Sequence, residues 1–337
     1  MTYMQRNRDK RANPALLVPG ARSVICLGMA YPPPVEAPDS GLHGRLSAFA
    51  RGSDYHVSVK AKLRELWAYI GQIAPVPPTG RYYVDTGPVL ERELAQRAGL
   101  GWCGKNTCLI SRTTGSYVFL GEIITDLELE YDPPASNRCG SCTRCLDACP
   151  TGALVAPHVL DARRCIAYLT IESRDAIPRD LRPLMDNWVF GCDACQQVCP
   201  WNHRARGARG VPGEPVSQDT RDLRQVLALD PDGFSQCFRG SPVKRARRSG
   251  LLRNAAVALG NSGDRRALPV LVRALEQDPE PLVRSHAAWA LGRLGGVEAR
   301  KALSQARCHE ADPVTVAEIQ QALAAVQGRP VGPPPTE

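Results

Sequence analysis

No apolar run in this 337-residue chain approaches the ~20 residues a helix needs to cross a bilayer. The basic stretch 1–11 is followed by no apolar segment of the secretory type, which argues against export by that route. Together these absences give the expectation of a soluble, cytoplasmic protein without a membrane partner. Acidic residues are missing from 244–253, where Lys244, Arg245, Arg247, Arg248 and Arg253 crowd together. Such a run is commonly a solvated face; beside a helical repeat it also suits a polyanion. Disorder is argued against by a hydrophobic fraction of 43%, and the length allows two or three domains. What the chain has in excess is cysteine. Thirteen of them without an export signal point to metal–sulfur chemistry, not to a disulfide scaffold.

Eight of the thirteen cysteines fall between residues 139 and 199. Cys139, Cys142, Cys145 and Cys149-Pro150 have the C-x2-C-x2-C-x3-C-P spacing of bacterial ferredoxins. Three thiolates on a tight loop reach three irons of one cubane, and the fourth points to another cluster. A second run, Cys192, Cys195 and Cys199-Pro200, lacks one cysteine of the repeat, and Cys165 lies between the two. The crossed arrangement gives one [4Fe–4S] cluster to Cys139, Cys142, Cys145 and Cys199. The other goes to Cys149, Cys165, Cys192 and Cys195. Four-cysteine zinc sites are the alternative, although they need neither the Cys-Pro endings nor the crossing.

The N-terminal part reads as a mixed cofactor domain, α+β or α/β. Strands are expected over 21–31, 81–85 and 116–126, the last central, with helices over 55–73 and 89–98. Two motifs in this part are incomplete. Gly99 to Lys105 resembles a P-loop, but Asn106 replaces the Ser or Thr that would hold magnesium. Asp54-Tyr-His56-Val-Ser-Val59 lacks the Gly of the cobalamin motif that supplies a histidine ligand, so His56 reads as an ordinary helix N-terminal residue. Asp85 stands where a strand meets a loop, a position suited to catalysis, although a capping or turn aspartate is the simpler reading. The remaining cysteines, Cys26, Cys103, Cys108, Cys237 and Cys308, read as buried thiols. Further on, Leu251–Gly260 matches Val283–Gly292 at a spacing of 32, a HEAT-like pair of two-helix units. Its small alanines permit close helix approach.

At this level of detail the chain resembles the epoxyqueuosine reductase family. The resemblance runs through Leu17-Val-Pro-Gly-Ala-Arg-Ser-Val24, Gly52-Ser-Asp-Tyr-His56, Val84-Asp-Thr-Gly-Pro-Val-Leu-Glu-Arg92 and Gly99-Leu-Gly-Trp-Cys-Gly-Lys105. Both cysteine runs, Asp161 to Glu172 and Leu251-Leu-Arg-Asn-Ala255 extend it. It implies reduction of epoxyqueuosine to queuosine and water at the wobble position of a tRNA with a GUN-type anticodon. It also implies Asp85 as proton donor, base-off cobalamin without a histidine ligand, and two [4Fe–4S] clusters drawing on a low-potential electron donor. Corrin contacts implied by motif are Ala48, Tyr55, Asp85, Lys105, Leu109 and Leu120. Lys244, Arg245, Arg247, Arg248 and Arg253 would hold tRNA phosphates.

The expected organisation is a monomer of class α+β. Residues 1–136 form a cobalamin domain whose N-terminal part is expected to be truncated relative to the family. Residues 137–205 form a ferredoxin-like cluster domain, 206–327 the HEAT-like tRNA-binding module, and 328–337 a disordered tail. The rival readings are a corrinoid reductive dehalogenase, a ferredoxin-type electron carrier with a docking module, and a tRNA-binding protein with structural clusters.

Overall fold

A computed structural model describes residues 5–34, 41–204 and 222–327. The expected tail therefore lies outside the described residues. The described chain forms two compact units. One draws on Met1–Pro34, Gly52–Asp161 and Asp193–Val216, the other on Val35–Arg51, Ala162–Cys192 and Ser217–Glu337.

The first unit is built on a three-stranded antiparallel sheet. Strand β1 is Ser23–Ala30, β2 is Gly80–Tyr83 and β3 is Val118–Thr125, in the order β1-β3-β2. The apolar stretch expected to be central is therefore β3. Helix α1, Tyr55–Ile73, has the predicted bounds, and the Asp54 side chain caps it by accepting the His56 backbone N–H. Successive β3 residues face opposite sides. Ile123 packs with Val59 and Leu63 of α1, whereas Ile124 packs with Leu17, Val18 and Val89 on the other side. Helix α2, Glu91–Arg97, lies on that second side, its Leu94 packed against the Ile124 cluster. A Cβ on Gly121 would stand 2.9 Å from a Leu63 methyl, so glycine is what lets α1 lie close to the sheet.

The same unit carries the first cysteine loop and, from Asp193 on, the second. Each ends in a single helical turn, Arg144–Asp147 and Ala194–Gln197, immediately before its Cys-Pro pair. Gly140 adopts a left-handed φ of 54° inside the first loop.

In the second unit, helices α3 (Arg247–Ser262), α4 (Leu268–Gln277), α5 (Pro281–Leu294), α6 (Gly296–His309) and α7 (Pro313–Gln327) form the repeat. The 32-residue period has a direct physical correlate. A Cβ on Gly260 would lie 2.9 Å from the Ala290 Cα, and one on Gly292 would lie 2.9 Å from the Ala322 Cα. Helices α3 and α5, and then α5 and α7, thus pack through the same glycine-on-alanine contact. The segment Ala162–Cys192 is built into this core. Asn254 of α3 donates to the Thr170 and Val189 carbonyls, and the Ile177 N–H donates to His286 Nε2 of α5. Strand Trp188–Phe190 pairs in parallel with Arg45–Leu46.

The compact units do not follow the expected boundaries at 136 and 205: residues up to Asp161 and from Asp193 count with the first unit, and Ala162–Cys192 with the helical one. The reason is the set of hydrogen bonds and the strand pairing that tie 162–192 to α3, α5 and Arg45–Leu46. Sequence spacing alone does not reveal such long-range ties.

Candidate active site

Asp85 follows β2 after the buried Val84 and has a left-handed φ of 51°, unusual for any residue with a side chain. Its backbone N–H donates to the Glu91 carboxylate. Its own carboxylate meets His56 Nε2 at 3.0 Å, and the other imidazole nitrogen lies 2.6 Å from Asp54 Oδ1. The hydrogen bond to Asp85 pushes the His56 pKa above its ordinary value, helped by Asp54 and opposed by burial. Tyr55 also hydrogen-bonds Asp85, and burial, then the Asp85 charge, keep its phenol protonated as a donor. Half of the Asp85 side chain remains open, at 55% exposure. The carboxylate is thus held from one side by two proton-bearing groups while the other side stays accessible. Beside it, Tyr55 stacks on Phe119 (4.2 Å between centroids, 5° between planes), and Phe119 lies against Tyr31 at 4.4 Å. The result is a continuous aromatic wall ending at the acid.

The reading of His56 as merely a helix N-terminal residue therefore needs correction. It does open α1, but its ring is the bridge between Asp54 and Asp85. The Asp-x-His spacing was visible in the sequence; the approach of residue 85 was not.

The first cysteine set converges. Cys139, Cys142, Cys145 and Cys199 line one small cavity together with Lys105 and Trp201. Trp102 Nε1 donates to Cys139 Sγ at 3.4 Å, and Lys105 Nζ donates to the Gly140 and Cys142 carbonyls at 2.7 and 2.9 Å. Four thiols facing a common space from crossed motifs fit a cubane. Among the described residues, no three His, Cys, Asp or Glu side chains close on a single metal ion. Of the second set, Cys149 and Cys195 lie in the first unit, and Cys165 and Cys192 in the second. Cys108, read from sequence as an isolated thiol, hydrogen-bonds Cys195.

Several expected contacts fall elsewhere. Lys105, expected at a corrin, has its ammonium committed to the first cysteine loop. Leu109 is 4% exposed and Ala48 is 7% exposed, the latter in the second unit, so both are core residues. Leu120 is half-buried on β3, and Tyr55 stands directly at Asp85. Arg253 cannot meet a phosphate: it is fully buried, and its guanidinium donates to the Leu169, Ser173 and Asp175 carbonyls. Arg248 is mostly buried and paired with Asp278 at 2.5 Å. Arg245 is exposed yet forms a two-pronged pair with Glu172. Lys244 and Arg247 are exposed, with no side-chain partner among the described residues. A run of like charges in sequence was thus spread by helical geometry over buried, paired and free positions.

A paired-cluster cysteine framework, an acid held by a histidine and a HEAT-type helical module together define an iron–sulfur oxidoreductase with a helical-repeat recognition unit. Family models match three segments of the chain. Residues 11–86 match "Epoxyqueuosine reductase QueG, DUF1730", 138–202 match a 4Fe-4S double cluster binding domain, and 245–324 match HEAT repeats. An epoxyqueuosine reductase from Xanthomonas campestris is 45% identical over 88% of this chain and 84% of its own length. A crystal structure of an epoxyqueuosine reductase with an epoxyqueuosine-modified tRNA-Tyr stem loop superposes with a TM-score of 0.89. It shares 34% identity and covers 95% of this chain and 86% of that one. The Bacillus subtilis enzyme, seen with its catalytic aspartate loop swung out of the active site, gives a TM-score of 0.86 at 33% identity, covering 95% and 86%. The chain belongs to the epoxyqueuosine reductase family.

Proposed function

We propose that this enzyme reduces epoxyqueuosine to queuosine in tRNA, with Asp85 delivering the proton that the departing epoxide oxygen needs. The reaction consumes two electrons and two protons, and the oxygen leaves as water. A carboxylate alone is a poor reservoir of protons near neutrality. Paired with an imidazole whose protonated form is favoured, it can be recharged, and the His56–Asp85 contact at 3.0 Å is the observation that carries this reading.

Cobalamin, when bound, would supply the low-potential electron pair for the carbon centre. Among this chain's residues, the Tyr31–Phe119–Tyr55 wall suits the apolar face of a corrin. His56 has both ring nitrogens engaged, consistent with a corrinoid held without a histidine ligand. Cys139, Cys142, Cys145 and Cys199 would hold one [4Fe–4S] cluster, and Cys149, Cys165, Cys192 and Cys195 the other, with a low-potential donor feeding both. Lys105 acts at the first cluster loop, not at the corrin. On the helical module, Lys244 and Arg247 are the free cations for tRNA phosphates, with Arg245 at their edge; Arg248 and Arg253 are structural.

The test is anaerobic: purified enzyme, cobalamin, a chemical reductant and an epoxyqueuosine-containing stem loop, with loss of one oxygen from the nucleoside followed by mass spectrometry. Asp85→Asn should bind cobalamin normally and give no queuosine. Turnover by Asp85→Asn at the parental rate sinks the assignment.

A further inference from the structure

Glu122 is a carboxylic acid in the middle of the central strand. It sits opposite Cys26 on β1 and Tyr83 on β2, on the sheet face that α2 covers, and it is 0% exposed. Among the described residues neither of its carboxylate oxygens meets a hydrogen-bond donor. Its polar neighbour is another carboxyl, Glu91, the first residue of α2. Two ionised carboxylates repel; with one proton between them the contact becomes a hydrogen bond. Glu91 faces the other way as well, because its carboxylate accepts the backbone N–H of Asp85. That bond fixes the one residue of the loop whose left-handed backbone needs holding. The next two loop carbonyls with a side-chain anchor, Gly87 and Val89, are bound by Arg11 at 3.4 and 3.2 Å.

We infer that Glu91 is the latch of the Asp85 loop, a positioning residue kept in an accepting state by the proton it shares with Glu122. The inference rests on Asp85 being the proton donor. A related loop carrying the catalytic aspartate is seen swung out in the Bacillus subtilis enzyme. Here, the same excursion would have to break the Asp85–Glu91 bond first. Burial and the charges of its neighbours agree with a shared proton. Burial first, then the Asp85 charge, push Glu91 up to about 7, and burial first, then the Glu91 charge, push Glu122 up to about 9. The groups facing the pair are Cys26 on β1, Tyr83 on β2, Asp85 on the loop, Tyr55 on α1 and Arg92 on α2. Of these only Arg92 is cationic, and His56 is committed to Asp85, which leaves one cation for two ionised carboxylates.

The experiment compares Glu91→Leu, Glu122→Gln and Asp85→Asn in the full-length enzyme loaded with clusters and cobalamin. Amide exchange of the peptide containing Asp85 is measured alongside kcat and KM for the stem loop. Glu91→Leu removes the acceptor of the Asp85 N–H, so exchange at Asp85 should rise at least tenfold and kcat fall at least tenfold, with KM within twofold. Glu122→Gln keeps a neutral donor, so its kcat at pH 7 should stay within threefold of the parent. Parental exchange and kcat in Glu91→Leu overturn the latch. Loss of activity at pH 7 in Glu122→Gln overturns the shared proton. If instead Asp85→Asn turns over normally, it is the proton-donor reading that fails, whereas the exchange result still decides whether Glu91 holds the loop.

Discussion

His56 and Asp85 are 29 residues apart in sequence and 3.0 Å apart in space, joined because the capped start of α1 lies beside the corner that follows β2. The pair sets a pH dependence with a definite sign. The imidazole pKa is raised, chiefly by its bond to Asp85, so the charged pair is complete below the unfolded histidine value near ~6.5 and is lost as pH rises through the raised folded value. Both turnover and any stability that the pair provides should therefore decline on that alkaline limb. His56→Gln should lower kcat and flatten the limb, measured as kcat against pH and melting temperature against pH. A limb unchanged in the variant would assign it to another group.

The cysteine assignment predicts which substitutions act alike. Cys142→Ser and Cys199→Ser should each remove the same cluster, leaving about half of the eight irons expected from two cubanes. Cys192→Ser should remove the other. Iron analysis together with electron paramagnetic resonance of the reduced protein distinguishes the two losses. Equal spectra for Cys199→Ser and Cys192→Ser would contradict the crossing.

For nucleic acid binding, Lys244→Glu with Arg247→Glu should weaken tRNA affinity, and the salt dependence of binding should fall by about one unit of slope per lost phosphate contact. Arg253→Ala should behave differently. It strips donors from three carbonyls, of which that of Leu169 is buried, so it should cost about 1–3 kcal/mol of stability for that orphaned group, seen as a lower melting temperature. Normal folding of Arg253→Ala with weakened tRNA binding would reverse this division.

Local signals in the sequence were reliable where the physics is local. The bounds of α1 follow from its apolar spacing and Asp54 cap, and the central strand follows from its β-rich run. The repeat at Gly260 and Gly292 was readable because the same contact recurs each period. The four thiols proposed for the first cluster were read from motif spacing alone, and they line one cavity. Hidden from the sequence were relationships made by folding across distance: the His56–Asp85 bond, the burial of Arg253, and the absorption of residues 162–192 into the helical core. Glu122 left a faint trace, as a lone carboxyl inside an otherwise apolar strand. Its partner at position 91 is not legible without coordinates.

An acid buried in the sheet between β1 and β2 also has a thermodynamic signature independent of any reaction. Replacing a charged or half-satisfied carboxyl by an apolar side chain of similar volume removes a desolvation penalty that folding otherwise carries. Glu122→Leu should therefore melt at a higher temperature than the parent while losing catalytic competence. This enzyme would then give up thermal robustness at its first domain's centre in exchange for chemistry at its rim.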